Sequence, residues 1–296
     1  MTFIVFIGGL FEYNSGKTTF AKEIISSFEN DLSMKTAPFK PLSGNNLFFH
    51  YEEIKKNVKK HDNLVSLDIV ELLEPSSAEI PAILANPVHK LNTQALPYNF
   101  YKEGSINTLF SRYSSSVSLM QRFTIYKSES EIESCFLVNE PIYKNQKFWN
   151  DQTLTDPILE EAKEIKYFKN DQEFYSLNDK FYADATKTSF DYVKEHSDIT
   201  VVESFNNSAH PAWCIRESNA VIIVGPGSLF IYEPDAYFRA IDNYRSINRN
   251  KVTTTDDILK LATPTEALPF PVDLGKRKKI ISDLTNKLSK EIQEKK

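Results

Sequence analysis

The chain has few of the residue types that mark secreted, metal-scaffold or nucleic-acid-binding proteins. Only two of its 296 residues are cysteines, Cys135 and Cys214, and they form no C-x-x-C spacing. Neither a disulfide framework nor a cysteine-based metal site is therefore expected. The net charge is −5, whereas nucleic-acid-binding domains usually carry a basic excess, so no nucleic-acid partner is expected. This composition favours a cytoplasmic protein.

Long apolar segments are also absent. No hydrophobic run approaches the roughly 18 residues of a membrane-spanning helix, so we expect no membrane association. The apolar start, MTFIVFIGGLF, has no basic residues before it and no cleavage site. It predicts a buried first strand rather than a signal peptide.

Glycine is scarce and unevenly placed. There are eight glycines, fewer than the roughly 7 % of residues that is typical. Glycine permits positive φ and a close approach of the backbone to a ligand, so its positions indicate candidate sites. Six of the eight fall in three short segments, which contain Gly8, Gly9 and Gly16; Gly44; and Gly225 and Gly227.

Hydrophobic periodicity predicts an α/β fold. Residues 3–7, FIVFI, form a continuous apolar run that is typical of a strand covered on both faces of a parallel sheet. After Gly16 apolar residues recur every three or four positions, which predicts an amphipathic helix. MKTAPFKP at 34–41 predicts a second strand, so the chain begins as a βαβ unit. The apolar positions of the predicted helix are Phe20, Ala21, Ile24, Ile25 and Phe28.

The remainder predicts one domain over residues 1–296, with a mostly parallel sheet flanked by helices. Helices are expected over 51–73, with a break near 61–63, over 181–196, over EPDAYFRAIDNYRSI and in the tail from Lys276. Strands are expected in DITVVESF, SNAVIIVGPG and ATPTEALPFP. We interpret residues 88–180 as a substrate-facing insertion that contains two antiparallel strands, VSLMQRFTIYK and ESCFLVNE, and a helix over 158–168.

The segment GGLFEYNSGKTTF at 8–20 predicts a phosphate-binding loop. It follows a predicted strand and opens a predicted helix, the context that such a loop requires. Free backbone N–H groups and the helix dipole bind anions at a helix start. Lys17 would supply charge to the outer phosphates and Thr18 a hydroxyl to Mg²⁺. The spacing from Gly9 to Gly16 is two residues longer than in G-x-x-x-x-G-K-[ST], and a helix-capping turn is the alternative.

Three further segments end predicted strands. APFKPLSGNN places Lys40 at the carboxyl end of the second strand, where ligands bind in open parallel sheets, and predicts a loop with proline and glycine after it. ITVVESFNNSAHP places Glu203 at a strand end, a usual position for an Mg²⁺ carboxylate. VIIVGPGS ends in glycines that would either approach a ligand or form a tight turn. His210 is a further residue near the site, with a structural role favoured over a catalytic one.

Together these segments resemble the dethiobiotin synthetase and cobyric acid synthase group of P-loop ATPases. The resemblance covers residues 1–45 and 197–230. It rests on the long loop ending in GKTT, on APFKP at 37–41 and on VVE at 201–203. The family's glycines after VVE are replaced here by Ser204, Phe205 and Asn206, so the substrate side of that loop differs.

The resemblance implies a P-loop NTPase that uses ATP and Mg²⁺. It makes Lys17, Lys40 and Glu203 catalytic and assigns Mg²⁺ to Thr18, Glu203 and Asp68, with Asp62 as second choice for the third ligand. It also makes a homodimer an alternative to a monomer. The residues implied to bind the nucleotide phosphates are Asn14, Ser15, Gly16, Lys17, Thr18 and Thr19.

Three functions follow as hypotheses, of which a binding or scaffold protein with weak hydrolysis is the third, disfavoured by the intact Lys17, Thr18 and Glu203. The first is an ATP-dependent enzyme that transfers a phosphoryl group to an unknown small molecule, as a ligase or as a kinase. The alternative is a nucleotide switch of the ParA and MinD type that acts through protein partners. Such switches often carry an additional lysine early in the loop, and this loop has none before Lys17.

Overall fold

The computed structural model describes residues 2–113, 116–249 and 251–295. They form two compact units. Unit 1 consists of the chain up to Pro41, Asp68–Pro81 and the chain from Phe190 onward. Unit 2 consists of Leu42–Leu67 and Ala82–Ser189. None of the helices described is long and apolar enough to cross a membrane.

Strands and helices alternate along most of the chain. The strands are β1 (Phe3–Gly9), β2 (Thr36–Phe39), β3 (Leu42–Asn46), β4 (Val88–Thr93), β5 (Val117–Ser128), β6 (Glu131–Asn139), β7 (Glu164–Phe168), β8 (Ile199–Glu203), β9 (Ala220–Gly225), β10 (Ser228–Tyr232) and β11 (Glu266–Pro269). The helices are α1 (Lys17–Leu32), α2 (Tyr51–His61), α3 (Leu67–Leu73), α4 (Ala82–Ala85), α5 (Pro97–Lys102), α6 (Ile106–Arg112), α7 (Glu140–Tyr143), α8 (Gln152–Glu160), α9 (Asp171–Glu195), α10 (Pro234–Ile247), α11 (Thr255–Leu259) and α12 (Leu274–Lys295), and Trp213–Glu217 is a 3-10 helix.

The sheet of unit 1 has the order β11-β10-β9-β1-β8-β2. The four strands from β9 to β2 are parallel, and β10 and β11 are added antiparallel at one edge. Every residue of β1, β8 and β9 is buried, as the continuous apolar runs predict for strands covered on both faces. The sequence predicts the four parallel strands and β11, but not β10.

Helix α1 contributes one apolar face to the core of unit 1. Its five predicted apolar positions, from Phe20 to Phe28, are all fully buried. Ser27 shares this buried side, where its hydroxyl lies 2.9 Å from that of Thr285 on α12. The helix begins directly after Gly16, so packing of this face fixes where the preceding loop ends.

The sheet of unit 2 is mixed, with the order β3-β4-β5-β6-β7. The outer pairs are parallel and the two central pairings are antiparallel. Successive residues of β6 enter two different apolar clusters, because side chains alternate between the faces of a strand. Phe136 and Val138 belong to one cluster, and Cys135 and Leu137 to the other.

A buried arginine ties several loops of unit 2 to β5. The Arg122 side chain is fully buried. It donates to the carbonyl oxygens of Leu64 at 2.8 Å and Asn86 at 2.7 Å, and also to the hydroxyl of Thr124. Burial lowers the pKa of Arg122 to about 9. These acceptors replace the hydrogen bonds to water that the guanidinium loses on burial.

The predicted α/β class is confirmed as mixed sheets with flanking helices, and two local predictions are wrong. The helix predicted over 158–168 ends at Glu160, and residues 164–168 form β7. The loop predicted after Lys40 is in fact β3 over 42–46. The segment 88–180 contains the two predicted antiparallel strands and lies in unit 2; its role as a substrate-facing insertion of one domain stays a prediction.

Candidate functional site

Three neighbouring parallel strands of unit 1 end at the same edge of the sheet. β1 and β2 both pair with β8. The register places Ile7 opposite Glu203 and Phe39 opposite Val202. Lys40, the residue after Phe39, therefore lies beside Glu203, at the edge where open parallel sheets bind ligands.

The loop between β1 and α1 is held by its own backbone and by one serine. Ser15 Oγ accepts a hydrogen bond from the backbone N–H of Phe11 at 2.8 Å and donates to the carbonyl oxygen of Phe11 at 2.6 Å. Asn14 and Gly16 have φ values of 56° and 83°, in the left-handed region that asparagine and glycine tolerate best. The result is a compact loop that ends at the first turn of α1.

The start of α1 has the properties of an anion site. Its N-cap is Gly16, which offers no capping side chain, and the first turn contains no acidic residue. The first N–H groups of a helix lack partners within the helix, and the helix dipole adds partial positive charge there. The Lys17 side chain folds back over Gly9. A Cβ atom placed on Gly9 would lie only 2.7 Å from Lys17 Nζ.

Four polar side chains meet beside this helix start. Lys40 Nζ donates to Glu203 Oε1 at 2.7 Å and also to Asp68 Oδ2. Thr18 Oγ1 donates to the same Glu203 Oε1 at 3.1 Å. Lys40 is 4 % exposed and Glu203 is fully buried, whereas the Asp68 side chain is 43 % exposed. The pair Lys40–Glu203 is thus a buried ion pair with one opening toward Asp68.

Burial and charge act in opposite directions on the two lysines. Burial lowers the pKa of Lys17, and the charge of Lys40 lowers it further, whereas Glu203 and Asp68 act to raise it. For Lys40, burial also favours the neutral form, but the charges of Glu203 and Asp68 and the hydrogen bonds to them raise its pKa above the ordinary value. Lys40 is therefore protonated and lies between two carboxylates.

The oxygen atoms of this cluster suit a magnesium ion. Glu203 Oε2 is buried and has no hydrogen-bond partner among the residues described, which leaves one carboxylate oxygen to accept a ligand. Within the same part of the chain, no group of three or more His, Cys, Asp or Glu side chains is arranged to hold a metal. Mg²⁺ does not require such a group, because it usually takes one or two carboxylates together with substrate phosphates and water.

The structure brings together most, but not all, of the predicted site residues. Asn14, Gly16 and Thr19 are exposed around the helix start. Asp62, the second choice for a metal ligand, is the C-cap of α2 and belongs to unit 2. Asp68 belongs to unit 1 and contacts Lys40, so the first choice is the one placed at the cluster.

The two other glycine segments have local roles. Gly44 lies in β3 of unit 2. Gly225 is the last residue of β9, and Gly227 lies in the tight turn to β10 with a φ of 70°. A Cβ on Gly225 would lie 3.0 Å from a side-chain carbon of Leu10. Gly225 thus allows the loop to pack against β9.

Two supports of the loop carry no sequence signal. Thr255, the first residue of α11, is fully buried and its hydroxyl donates to the carbonyl oxygen of Gly9. Asn206 Nδ2 donates to Glu12 Oε1 at 3.0 Å, which joins the loop to the segment after β8. Thr255 lies 246 positions away from Gly9 along the chain, so only the fold connects them.

His210 lies in the segment after β8, outside the cluster. Burial, followed by the positive charges of Arg245 and Arg216, lowers its pKa to about 4. Its Nε2 atom has no hydrogen-bond partner among the residues described. His210 is therefore neutral at physiological pH and sensitive to acid.

Comparison with known proteins gives no independent assignment of this site. No family model, no curated protein and no solved structure matches the chain. What the site can do is therefore argued from its own residues.

Proposed function

We propose that this protein is an ATP-dependent, Mg²⁺-requiring phosphoryl-transfer enzyme that acts on a small molecule, either as a ligase or as a kinase. The observation that carries the proposal is the cluster of Lys40, Glu203, Asp68 and Thr18 beside the uncapped start of α1. The resemblance to the dethiobiotin synthetase and cobyric acid synthase group supports the same proposal, with the segment at 8–20 as its P-loop.

Phosphoryl transfer needs charge neutralisation and alignment more than covalent chemistry by the protein. In this proposal the N–H groups at the start of α1 and the Lys17 ammonium bind the outer phosphates. Thr18, Glu203 and Asp68 hold Mg²⁺, which supplies neutralisation of phosphate charge when bound. Lys40, at the adjacent strand end, stabilises the negative charge of the transferred group.

The neighbouring buried carboxylate distinguishes this arrangement from a simple anion site. A helix start with one lysine would bind any anion, but here the carboxylates of Glu203 and Asp68 offset the charges of Lys17 and Lys40, so an anion that brings a cation is favoured. A nucleotide triphosphate that carries Mg²⁺ satisfies both requirements. We therefore favour a metal–nucleotide complex over a free phosphate or sulfate as the ligand.

The test is ADP release by the full chain with ATP and Mg²⁺, in the presence and absence of a panel of carboxylate, amine and alcohol metabolites. We expect at least one metabolite to increase ADP release, and Lys17→Ala to abolish the increase. If no metabolite stimulates release or binds, the enzyme proposal is wrong. Nucleotide-dependent dimerisation without any metabolite effect would instead favour the ParA-type and MinD-type switch.

A further inference from the structure

The ammonium of Lys40 occupies the position at which the proposed magnesium ligands converge. It contacts Glu203 Oε1 at 2.7 Å and Asp68 Oδ2, and the hydroxyl of Thr18 binds the same oxygen of Glu203. The proposed function assigns Mg²⁺ to Glu203, Asp68 and Thr18. The first two contact the Lys40 ammonium, and Thr18 binds the same Glu203 oxygen that Lys40 contacts. The lysine is almost fully enclosed, so its ammonium is held in this place by these contacts.

One cation excludes another at this position. Mg²⁺ requires its oxygen ligands at about 2.0–2.1 Å in near-octahedral geometry. A carboxylate oxygen that accepts a hydrogen bond from an ammonium group cannot also take a metal ion without repulsion between the two cations. Glu203 Oε2 has no hydrogen-bond partner among the residues described, so a metal could reach that oxygen alone. A metal shared by Glu203 and Asp68, however, would lie against the ammonium that contacts both carboxylates. Shared binding of a metal by Glu203 and Asp68 therefore requires the Lys40 ammonium to move.

If the Lys40 ammonium leaves the two carboxylates, it can move toward the start of α1. Its side chain is a flexible four-carbon stem with a compact charge, and it leaves β2 at the sheet edge next to the start of α1. Phosphate oxygens at the helix start would offer new acceptors for the displaced ammonium. Free Mg²⁺ offers none, so the metal alone would leave the lysine charged, enclosed and without a carboxylate.

We propose that Lys40 is an internal counter-cation that competes with the divalent metal for Glu203 and Asp68 and is exchanged for it when nucleotide binds. The exchange makes metal binding weak in the nucleotide-free protein and strong in the presence of nucleotide phosphates. It also delivers the Lys40 ammonium to the phosphate only after the metal is in place. This second consequence rests on the proposed function, whereas the competition for the carboxylates does not.

The competition is tested with Mn²⁺ as the probe, in the full chain without nucleotide, by electron paramagnetic resonance of the free ion. Wild type is expected to bind with a Kd on the order of 1 mM or weaker, typical of weak oxygen sites. Lys40→Met removes the competing charge and is expected to tighten binding by at least about tenfold. Adding Glu203→Gln to Lys40→Met removes a ligand and is expected to return the Kd to the wild-type value or weaker.

Lys17→Met is the matched control, because it removes one lysine charge from the same neighbourhood and leaves the contacts of Lys40 with Glu203 and Asp68 in place. It is expected to change the Mn²⁺ Kd by about threefold or less, as a longer-range charge effect implies. An equal gain in Lys17→Met and Lys40→Met would overturn the competition. If Lys40→Met does not fold, wild type decides: a nucleotide-free Kd below about 0.1 mM would overturn the proposal.

A second titration separates this inference from the proposed function. With a non-hydrolysable ATP analogue, wild type is expected to bind Mn²⁺ much more tightly than without it, and reciprocity requires the analogue to bind more tightly with Mn²⁺. The coupling should shrink in Lys40→Met. If the analogue binds but Lys40→Met has the same Mn²⁺ affinity as wild type, the proposed exchange is wrong and the enzyme proposal stands. If Lys40→Met binds Mn²⁺ more tightly but the analogue does not bind, the competition for the carboxylates stands and the proposed function is wrong.

Discussion

Replacing Lys40 by methionine is expected to destabilise unit 1 by about 4 kcal/mol. Removing one partner of a buried ion pair typically costs about 3–5 kcal/mol, because the other charge stays buried. Among the residues described, the remaining carboxylate, on the fully buried Glu203, keeps only the hydrogen bond from Thr18. The lost contact to the half-exposed Asp68 contributes at most about 1 kcal/mol.

Lys22 provides a matched control. Its ammonium lies 2.6 Å from Glu74 Oε2, nearly the same separation as in the buried pair, but the two side chains are 40 % and 60 % exposed. Lys22→Met makes the same chemical change in the same unit. It is expected to cost less than about 1 kcal/mol, as measured for exposed pairs.

The assay is urea unfolding followed by tryptophan fluorescence. The chain has two tryptophans, Trp213 in unit 1 and Trp149 in unit 2. In a Trp149→Phe background the signal of Trp213 reports unit 1 alone, and a change in midpoint at constant slope reports stability. Adding Glu203→Gln to Lys40→Met should recover about 2 kcal/mol of the loss, because it removes the unpaired charge. Equal losses in Lys40→Met and Lys22→Met would refute the argument from burial.

Three further predictions concern other residues. A methyl group in Gly9→Ala would lie 2.7 Å from Lys17 Nζ and 3.0 Å from Ser15 Oγ. Displacing the end of Lys17 is expected to weaken ATP binding by about tenfold, as partial loss of a charge-assisted hydrogen bond implies. Unchanged ATP affinity in titration would contradict this. The pKa of His210 is about 4 in the folded state and about 6.5 in the unfolded state. As the pH falls, the His210 imidazole is therefore protonated in the unfolded chain before it is protonated in the folded chain. Stability of unit 1 should therefore be full above about pH 6.5 and fall by about 3 kcal/mol as the pH drops to 4; His210→Asn should remove that slope in urea unfolding, and an equal slope would contradict it. Arg122→Met removes the hydrogen bonds that the buried carbonyl groups of Leu64 and Asn86 accept from the guanidinium. It is expected to destabilise unit 2 by roughly 3 kcal/mol or more, read from Trp149 in a Trp213→Phe background. A loss under about 1 kcal/mol would show that the buried charge offsets its hydrogen bonds.

The sequence predicts the parts of unit 1 that depend on local pattern. The apolar stripe of α1 and the buried strands β1, β8 and β9 follow from periodicities that packing on both faces of a parallel sheet requires. The same pattern places Lys40 and Glu203 at strand ends. Their direct pairing could not be predicted, because it depends on the register of β2 and β1 against β8.

Other parts follow only from tertiary structure. β3 has the sequence LSGNN, whose glycine and asparagines are depleted in strands, so its pairing with β4 overrides propensity. Residues 158–168 have no glycine or proline between Glu160 and Glu164, and nothing local separates α8 from β7. The contact of Thr255 with Gly9 joins distant parts of the chain, which no local pattern can reveal.

The central claim is that the helix start at Lys17 and the carboxylates beside it bind a metal–nucleotide complex. The most direct test is isothermal titration of ATP and of GTP, each with Mg²⁺, into wild type and Lys17→Ala. The account predicts micromolar binding of one nucleotide, weakened at least about tenfold in Lys17→Ala, since hydrogen bonds from a charged donor are worth roughly 1.5–3 kcal/mol. Absence of binding by either nucleotide, or equal affinity in the variant, would contradict the account and make the segment from Gly8 to Phe20 a helix-capping turn.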